Sequence, residues 1–347
     1  MTASATASDI GRLIAEARVP GLSMAVIRDG KIESLTALGV RNAHSTAPVD
    51  PLTIFDAASL SKPVFAYAVL QLVDAGALSL DAPLAQYIPD YVPDDQRAKA
   101  ITVRHVLSHS SGLPNWRNGE LPLKTYFQPG ERFSYSGEGF VWLQRVVEAI
   151  TAEPINVLLH RLVFDPVEMR HSSFVWQSSF DDNYADPHDA LPTPDLKKKP
   201  TAANTAASLQ TTASDYARFL QAVLSGARLK PQTARQWVAP QVTLRLACVQ
   251  CLATDLPEID TQVAWGLGWG LEPRCGTFFQ WGDNDRGRFK AFTMGSVQQR
   301  LGVVIFTNGF NGMSIIPELV ETTLPGAHAA FDWLNYPRFG KGCPGRH

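Results

Sequence analysis

The sequence predicts an α+β fold, with one antiparallel sheet drawn from the two ends of the chain and a mainly helical lobe inserted between them. Three observations lead there. Residues 21–39 hold two apolar runs joined by Asp29-Gly30, a dipeptide suited to a hairpin turn. Residues 288–308 hold two more strand-like runs, separated by Gln298, Gln299 and Arg300. Between these ends, helix punctuation and apolar residues at helical spacing dominate. The expected division is residues 1–56 plus 240–347 as the sheet lobe and 57–239 as the helical lobe, in one unit with its site in the cleft between them.

Taken in order, the first element is an amphipathic helix with Ile10, Leu13, Ile14 and Ala17 on one face. The Asp29-Gly30 hairpin follows. Residues 59–75 are apolar almost all round and stop at Gly76, as a buried helix should. Thr102 is a plausible N-cap for a short helix, "EGFVWLQRVVEAI" is another helix, and Pro154 opens the next. The segment near residues 178–205 is a polar, proline-rich loop suited to one wall of the cleft. "TTASDYARFLQAVLSG" carries a capping box from Thr212 to Asp215 and a glycine stop at Gly226. Residues 263–270, "VAWGLGWG", alternate small and large side chains and read as a strand; no helix follows its glycines, which excludes a dinucleotide fingerprint. A C-terminal helix is expected from about Ser314.

Composition narrows the function classes. Of 347 residues, 45% are hydrophobic and 18% charged, a globular balance. A net charge of -2 leaves no basic footprint for nucleic acid, and the Lys197-Lys198-Lys199 run reads as a solvated loop. No apolar stretch is long enough to span a membrane, and the N-terminus lacks the pattern of a signal peptide, so the chain reads as cytoplasmic. Four cysteines are no disulfide framework: Cys248 and Cys251 form a C-x-x-C without a second pair, and Cys275 and Cys343 stand alone. His105 and His109 are spaced i, i+4, but no acidic third ligand is near, so no metal is expected. Trp265 and Trp269 read as core.

Three short stretches carry chemistry. In "AASLSKPVFA" Ser59 stands three residues before Lys62, on one helix face. An amine in a dry site has a lowered pKa and can take a proton from a hydroxyl, making Ser59 a nucleophile; a cap and a snorkelling lysine are the plain alternative. In "PGERFSYSGEGF" Tyr135 lies at a loop tip before a helix, either packed or acting as a base whose phenolate a nearby ammonium favours. In "FFQWGDNDRGRFKAF" Trp281, Gly282 and Asp283 lead into Asn284, with open backbone at Gly282.

In this order the stretches resemble the penicillin-recognising serine hydrolases: class C β-lactamases, D-alanyl-D-alanine carboxypeptidases and β-lactamase-like esterases. Their signatures are S-x-x-K, Y-x-N and K-T-G; here Ser59-Leu60-Ser61-Lys62, Tyr135-Ser136-Gly137 and Trp281-Gly282-Asp283 stand in those places. "ITVRHVLSHSSGLPNW" and "GVVIFTNG" are similar too, and the likeness runs from roughly residue 10 to 325. The resemblance implies a β-lactamase/transpeptidase-like fold and a Ser59 acyl-enzyme. It makes Lys62 and Tyr135 the proton carriers, and the backbone N–H groups of Ser59 and Asn284 the oxyanion donors. No cofactor is implied. Two departures narrow the substrate. Gly137 replaces the asparagine that binds an acylamino carbonyl, and Trp281 replaces a cation that engages a carboxylate, although Arg286 or Arg288 offers another.

The leading expectation is therefore a carboxylesterase for small esters. Acyl transfer, D-amino-acid peptidase or amidase activity and weak β-lactamase activity share its acylation step. A ligand-sensing protein that keeps the fold without turnover is the rival from another class. Neither the acyl acceptor nor the oligomeric state is legible in the sequence.

Overall fold

The computed structural model describes residues 6–117, 121–253 and 255–336. Its strands are β1 (Gly21–Arg28), β2 (Lys31–Gly39), β3 (Phe55–Ala58), β4 (Leu209–Thr211), β5 (Val242–Thr243), β6 (Ala264–Trp265), β7 (Gly270–Glu272), β8 (Thr277–Asn284), β9 (Phe289–Ser296) and β10 (Leu301–Thr307). Its α-helices are α1 (Ala7–Glu16), α2 (Ser61–Asp74), α3 (Val103–Leu107), α4 (Gly137–Thr151), α5 (Ile155–Leu159), α6 (Ala213–Ser225), α7 (Pro231–Trp237), α8 (Ile316–Glu321) and α9 (Ala329–Leu334).

Eight strands form one antiparallel sheet in the order β2-β1-β10-β9-β8-β7-β6-β5, while β3 and β4 pair separately. The N-terminal hairpin thus joins the C-terminal strands through β1 and β10, as expected. Strand alternation sends Ala25, Ile27, Val304 and Phe306 to one face and Leu22, Met24, Val303 and Ile305 to the other. The first face packs on the central helices; the second packs on α1, α8 and α9. Both faces are covered, so the middle strands are buried on each side.

α2 is the centre of the helical region. Val64, Phe65, Val69 and Leu70 are fully buried, each contributing about 1.5–3 kcal/mol of hydrophobic stabilisation. The helix begins at Ser61 rather than at Ser59, and Leu60 caps it without a side-chain bond. It ends before Gly76, whose φ of +74° turns the chain away.

Several expectations are corrected. Residues 263–270 are two short strands, β6 and the start of β7, around a turn with Gly268 at φ +97°. Gly268 comes close to Ala66 of α2, so tight packing explains the glycines but a continuous strand does not. Thr212 caps α6 by accepting from Asp215 N–H, but the Asp215 carboxylate turns away to His171 N–H and Ser172 Oγ. α6, inside the 57–239 segment, packs on β1 and β10, with Gly302 leaving room for Leu220. The C-terminal helix is divided between α8 and α9. Lys197 is buried beside Asp56 (3.7 Å), because the loop folds it under Phe289; only Lys198 and Lys199 are solvated. Among the described residues no helix is long and apolar enough to cross a membrane.

Candidate active site

Ser59 occupies the turn between β3 and α2. Ala58, at the end of β3, has φ +47°, in the left-handed region that a β-carbon disfavours. Local bonds hold it there: Ala58 N–H donates to Asp56 Oδ1 (2.8 Å), and Ser61 Oγ donates to Ala58 O (2.6 Å) while accepting from Leu209 N–H (3.0 Å). The small β3–β4 sheet therefore positions the turn from both sides. It places Ser59 Oγ 3.0 Å from Lys62 Nζ.

Lys62 lies in the first turn of α2 and is wholly buried. Its amine also donates to Ala206 O at 2.7 Å, a contact supplied by the chain just before β4. The rings of Tyr135, Phe140 and Trp116 surround it, with centroids 4.6, 5.7 and 6.0 Å from Nζ. Burial holds its pKa well below the usual lysine range. His109 stacks on Tyr135 with centroids 4.2 Å apart and is likewise kept neutral, by burial first and then by Lys62.

Tyr135 is buried rather than exposed at a loop tip. Its hydroxyl accepts from Gln280 Nε2 at 3.2 Å, and the nearby Ser59 side chain favours its ionised form. Burial raises its pKa above that of a free phenol, so the expected phenolate is disfavoured: desolvation outweighs the bonds that would stabilise it. Ser136 caps α4 by accepting from Gly139 N–H and donates to Pro114 O, fixing the backbone beside Tyr135. A loop closed by a Cys248–Cys251 disulfide holds the same segment. Tyr135 N–H donates to Val249 O (2.8 Å) and Cys251 N–H to Ser134 Oγ (2.9 Å). The C-x-x-C thus pairs internally, where the sequence reading assigned it no disulfide. Cys275 is free and exposed, and Cys343 lies outside the described residues.

β8 forms the opposite wall. Alternation turns Gln280, Gly282 and Asn284 toward the helices. A β-carbon on Gly282 would lie 2.7 Å from Ala57 O and 3.1 Å from Ser59 N, so only glycine fits. Asn284 Nδ2 donates to Asp56 Oδ1 (2.9 Å) and Ala207 O (3.0 Å), bracing the serine turn. Trp281 faces the other way, against Tyr135 (5.0 Å), Trp265 and Trp333. Asp283 accepts from Lys290 Nζ at 2.6 Å. Of the two candidate cations beyond the strand, Arg288 pairs with Asp195 and Arg286 is exposed in the β8–β9 turn.

Sequence reasoning missed Gln280, which donates both to Tyr135 Oη and to Ser59 O (3.2 Å each). Its signal was parity, since it shares a face with Gly282. His105 serves structurally, with Nδ1 accepting from Thr102 N–H, and Trp265 and Trp269 are core. A cavity of about 310 Å³ opens beside Asn284, lined by Asp56, Ala207 and Ser208. A larger hollow of about 540 Å³ lies near Arg132 and Leu244; neither cavity is lined by Ser59, Lys62 or Tyr135, and only the smaller one borders residues that brace the serine turn, Asp56 and Asn284.

Residues 6–318 match the family described as Beta-lactamase. Esterase EstB of Burkholderia gladioli is 32% identical over 212 residues, covering 52% of this chain and 53% of EstB, so the match spans about half the length of that relative. Penicillin-binding protein 4 of Amycolatopsis lactamdurans is 28% identical over 278 residues, covering 74% of this chain and 72% of the relative. Among solved structures, the octameric penicillin-binding protein homologue from Pyrococcus abyssi has a TM-score of 0.73 at 21% identity, covering 92% of this chain and 78% of that one. D-alanine carboxypeptidase AmpC from Burkholderia cenocepacia has a TM-score of 0.72 at 18% identity, covering 90% and 96%. The transpeptidase-like fold expected from the sequence is the fold these structures share with it.

Proposed function

Because the chain belongs to the beta-lactamase family, we propose that it is a serine hydrolase that cleaves small esters through an acyl-enzyme at Ser59. One observation carries the proposal: a buried lysine with depressed pKa lies 3.0 Å from the serine oxygen. A neutral amine there accepts the Ser59 proton as Oγ bonds to the substrate carbonyl carbon. The oxyanion that forms would meet the N–H groups of Ser59 and of the β8 backbone beyond Gly282, the place expected for Asn284. As the ester C–O bond breaks, the proton passes through the Tyr135 phenol to the departing alcohol oxygen. Water then attacks the acyl-enzyme by the same route in reverse.

The ester preference rests on what the site lacks. Gly137 supplies no amide to an acylamino carbonyl, and Trp281, where the resemblance expects a carboxylate-binding cation, supplies no charge and packs its indole on Tyr135. A hydrogen bond to a charged group contributes about 1.5–3 kcal/mol, or one to two orders of magnitude in binding. The likeness to EstB supports the same reading. The test compares kcat/KM for p-nitrophenyl butyrate, nitrocefin and a D-alanyl-D-alanine peptide, and measures protein mass after a fluorophosphonate. The butyrate ester should exceed both others by tenfold or more, and one adduct should form in the native protein and none in Ser59→Ala. Preference for nitrocefin or the peptide would overturn the ester reading; ester turnover unchanged in Ser59→Ala would overturn the mechanism.

A further inference from the structure

Gly137, the first residue of α4, has no room for a side chain. A β-carbon there would lie 2.6 Å from Trp116 Cη2, 2.7 Å from Cζ3 and 2.9 Å from Cζ2. The outer edge of the indole fills the volume that any larger residue at 137 would take. Trp116 is half-buried, and its ring faces the Lys62 amine.

The indole is held in place from both sides. Gly137 N–H donates to Asn115 Oδ1 (2.9 Å), and Glu138 N–H donates to Asn115 O (2.8 Å). On the other side, Arg117 N–H and Nε each donate to the buried Glu138 carboxylate at 3.1 Å. The Tyr91 hydroxyl donates to that carboxylate too. Both chain neighbours of Trp116 are therefore tied to the first turn of α4, and the ring keeps its station over Gly137.

We infer that Trp116 is a specificity-determining residue that limits the length and branching of the acyl group accepted by Ser59. The inference rests on the esterase reading and adds to it the substrate class: esters of short, unbranched, unsubstituted acids. In that reading the departing oxygen must approach the Tyr135 hydroxyl, beside Gln280 and Trp281. The acyl substituent on the same carbonyl carbon then points away from Tyr135, toward Gly137 and the indole. A short alkyl chain packs on the ring. A long chain, or one bearing an amide at its α-carbon, meets the ring edge and finds no polar partner at Gly137.

The test measures kcat/KM for p-nitrophenyl acetate, butyrate and octanoate in the native protein, Trp116→Ala, Trp116→Leu and Trp116→Phe. A parallel series keeps the acetyl group and varies the alcohol. The octanoate-to-acetate ratio should rise tenfold or more in Trp116→Ala, less in Trp116→Leu, and by no more than about threefold in Trp116→Phe. The alcohol series should keep its order throughout. An octanoate-to-acetate ratio within twofold of native across the soluble variants, or a change confined to the alcohol series, overturns the inference. Should Trp116→Ala not fold, the Leu and Phe variants carry the same comparison. A native protein that turns over no ester strikes the esterase reading instead, so the two failures are distinguishable.

Discussion

A lysine amine sealed among three aromatic rings holds its proton less tightly than one in water, because the charged form loses its hydration. Among the described residues Lys62 bonds two oxygens, Ser59 Oγ and Ala206 O, and neither is an anion. Its pKa is therefore depressed, and the base form is populated at lower pH than for a free lysine. Tyr135 is shifted upward, so its phenol keeps its proton until the solution is strongly alkaline. Activity should accordingly rise with pH through the lowered Lys62 pKa and stay high until Tyr135 ionises. The acidic limb reports the coupled pair rather than one residue. Lys62→Arg keeps a cation that cannot give up its proton, and should lower kcat by about 10²–10⁴-fold at every pH. A pH–rate profile of both proteins checks this: an acidic limb that survives unchanged in Lys62→Arg would exclude the lysine as base.

At the scale of elements, the site depends on how closely β8 passes the serine turn. Gly282 allows the approach, Gln280 ties Tyr135 to Ser59 O, and Asn284 braces Asp56. Gly282→Ala would press a methyl group into Ala57 O and Ser59 N, which cannot retreat without moving β3 or α2. Overpacking of this kind costs about 1–3 kcal/mol. Esterase kcat should fall at least tenfold while the far-ultraviolet circular dichroism stays native, because the strain is released by shifting the turn. Native kcat in a Gly282→Ala protein of lowered stability would show that the serine turn does not need this contact.

Across the whole molecule, α9 is fastened to the sheet by a buried ion pair. Glu272 of β7 accepts from Thr277 Oγ1, Ala330 N–H and His328 Nδ1 (2.8 Å), and His328 Nε2 donates to Leu324 O. Burial opposes both charges, yet the bonds between them outweigh it: Glu272 lies below its ordinary 4.5 and His328 above its ordinary 6.5. The histidine's contribution is complete below 6.5 and fades as pH rises through its raised folded value. The glutamate's is complete above 4.5 and fades as pH falls through its lowered folded value. The pair therefore stabilises most between those two limits. Glu272→Gln should cost about 1–3 kcal/mol near pH 5.5 and weaken the decline above pH 7. Urea unfolding at pH 5.5 and 8.5 checks it: an equal loss at both values would mean that the ion pair is not what ties α9 down.

Much of this was legible in the residues because it depends on local chemistry. Asp29-Gly30 implied the first hairpin, the apolar run after Ser59 implied a buried helix, and the late β-rich runs implied β9 and β10. The spacing of Ser59 and Lys62 implied a hydroxyl beside an amine, since residues three apart lie close on one helix face, and the turn ahead of α2 keeps them close although Ser59 stands outside the helix. Tertiary structure decided what depends on distant neighbours. Tyr135 reaches Ser59 only because a disulfide-closed loop and the α4 cap hold its segment there. Gln280 joined the site through strand parity relative to α2. Lys197 is buried because Asp56 and Phe289, far away in sequence, meet over it. The sequence by itself determined which groups can carry the chemistry and which segments are helix or strand. Packing alone decided their protonation, since desolvation depends on what surrounds a group rather than on its place in the chain.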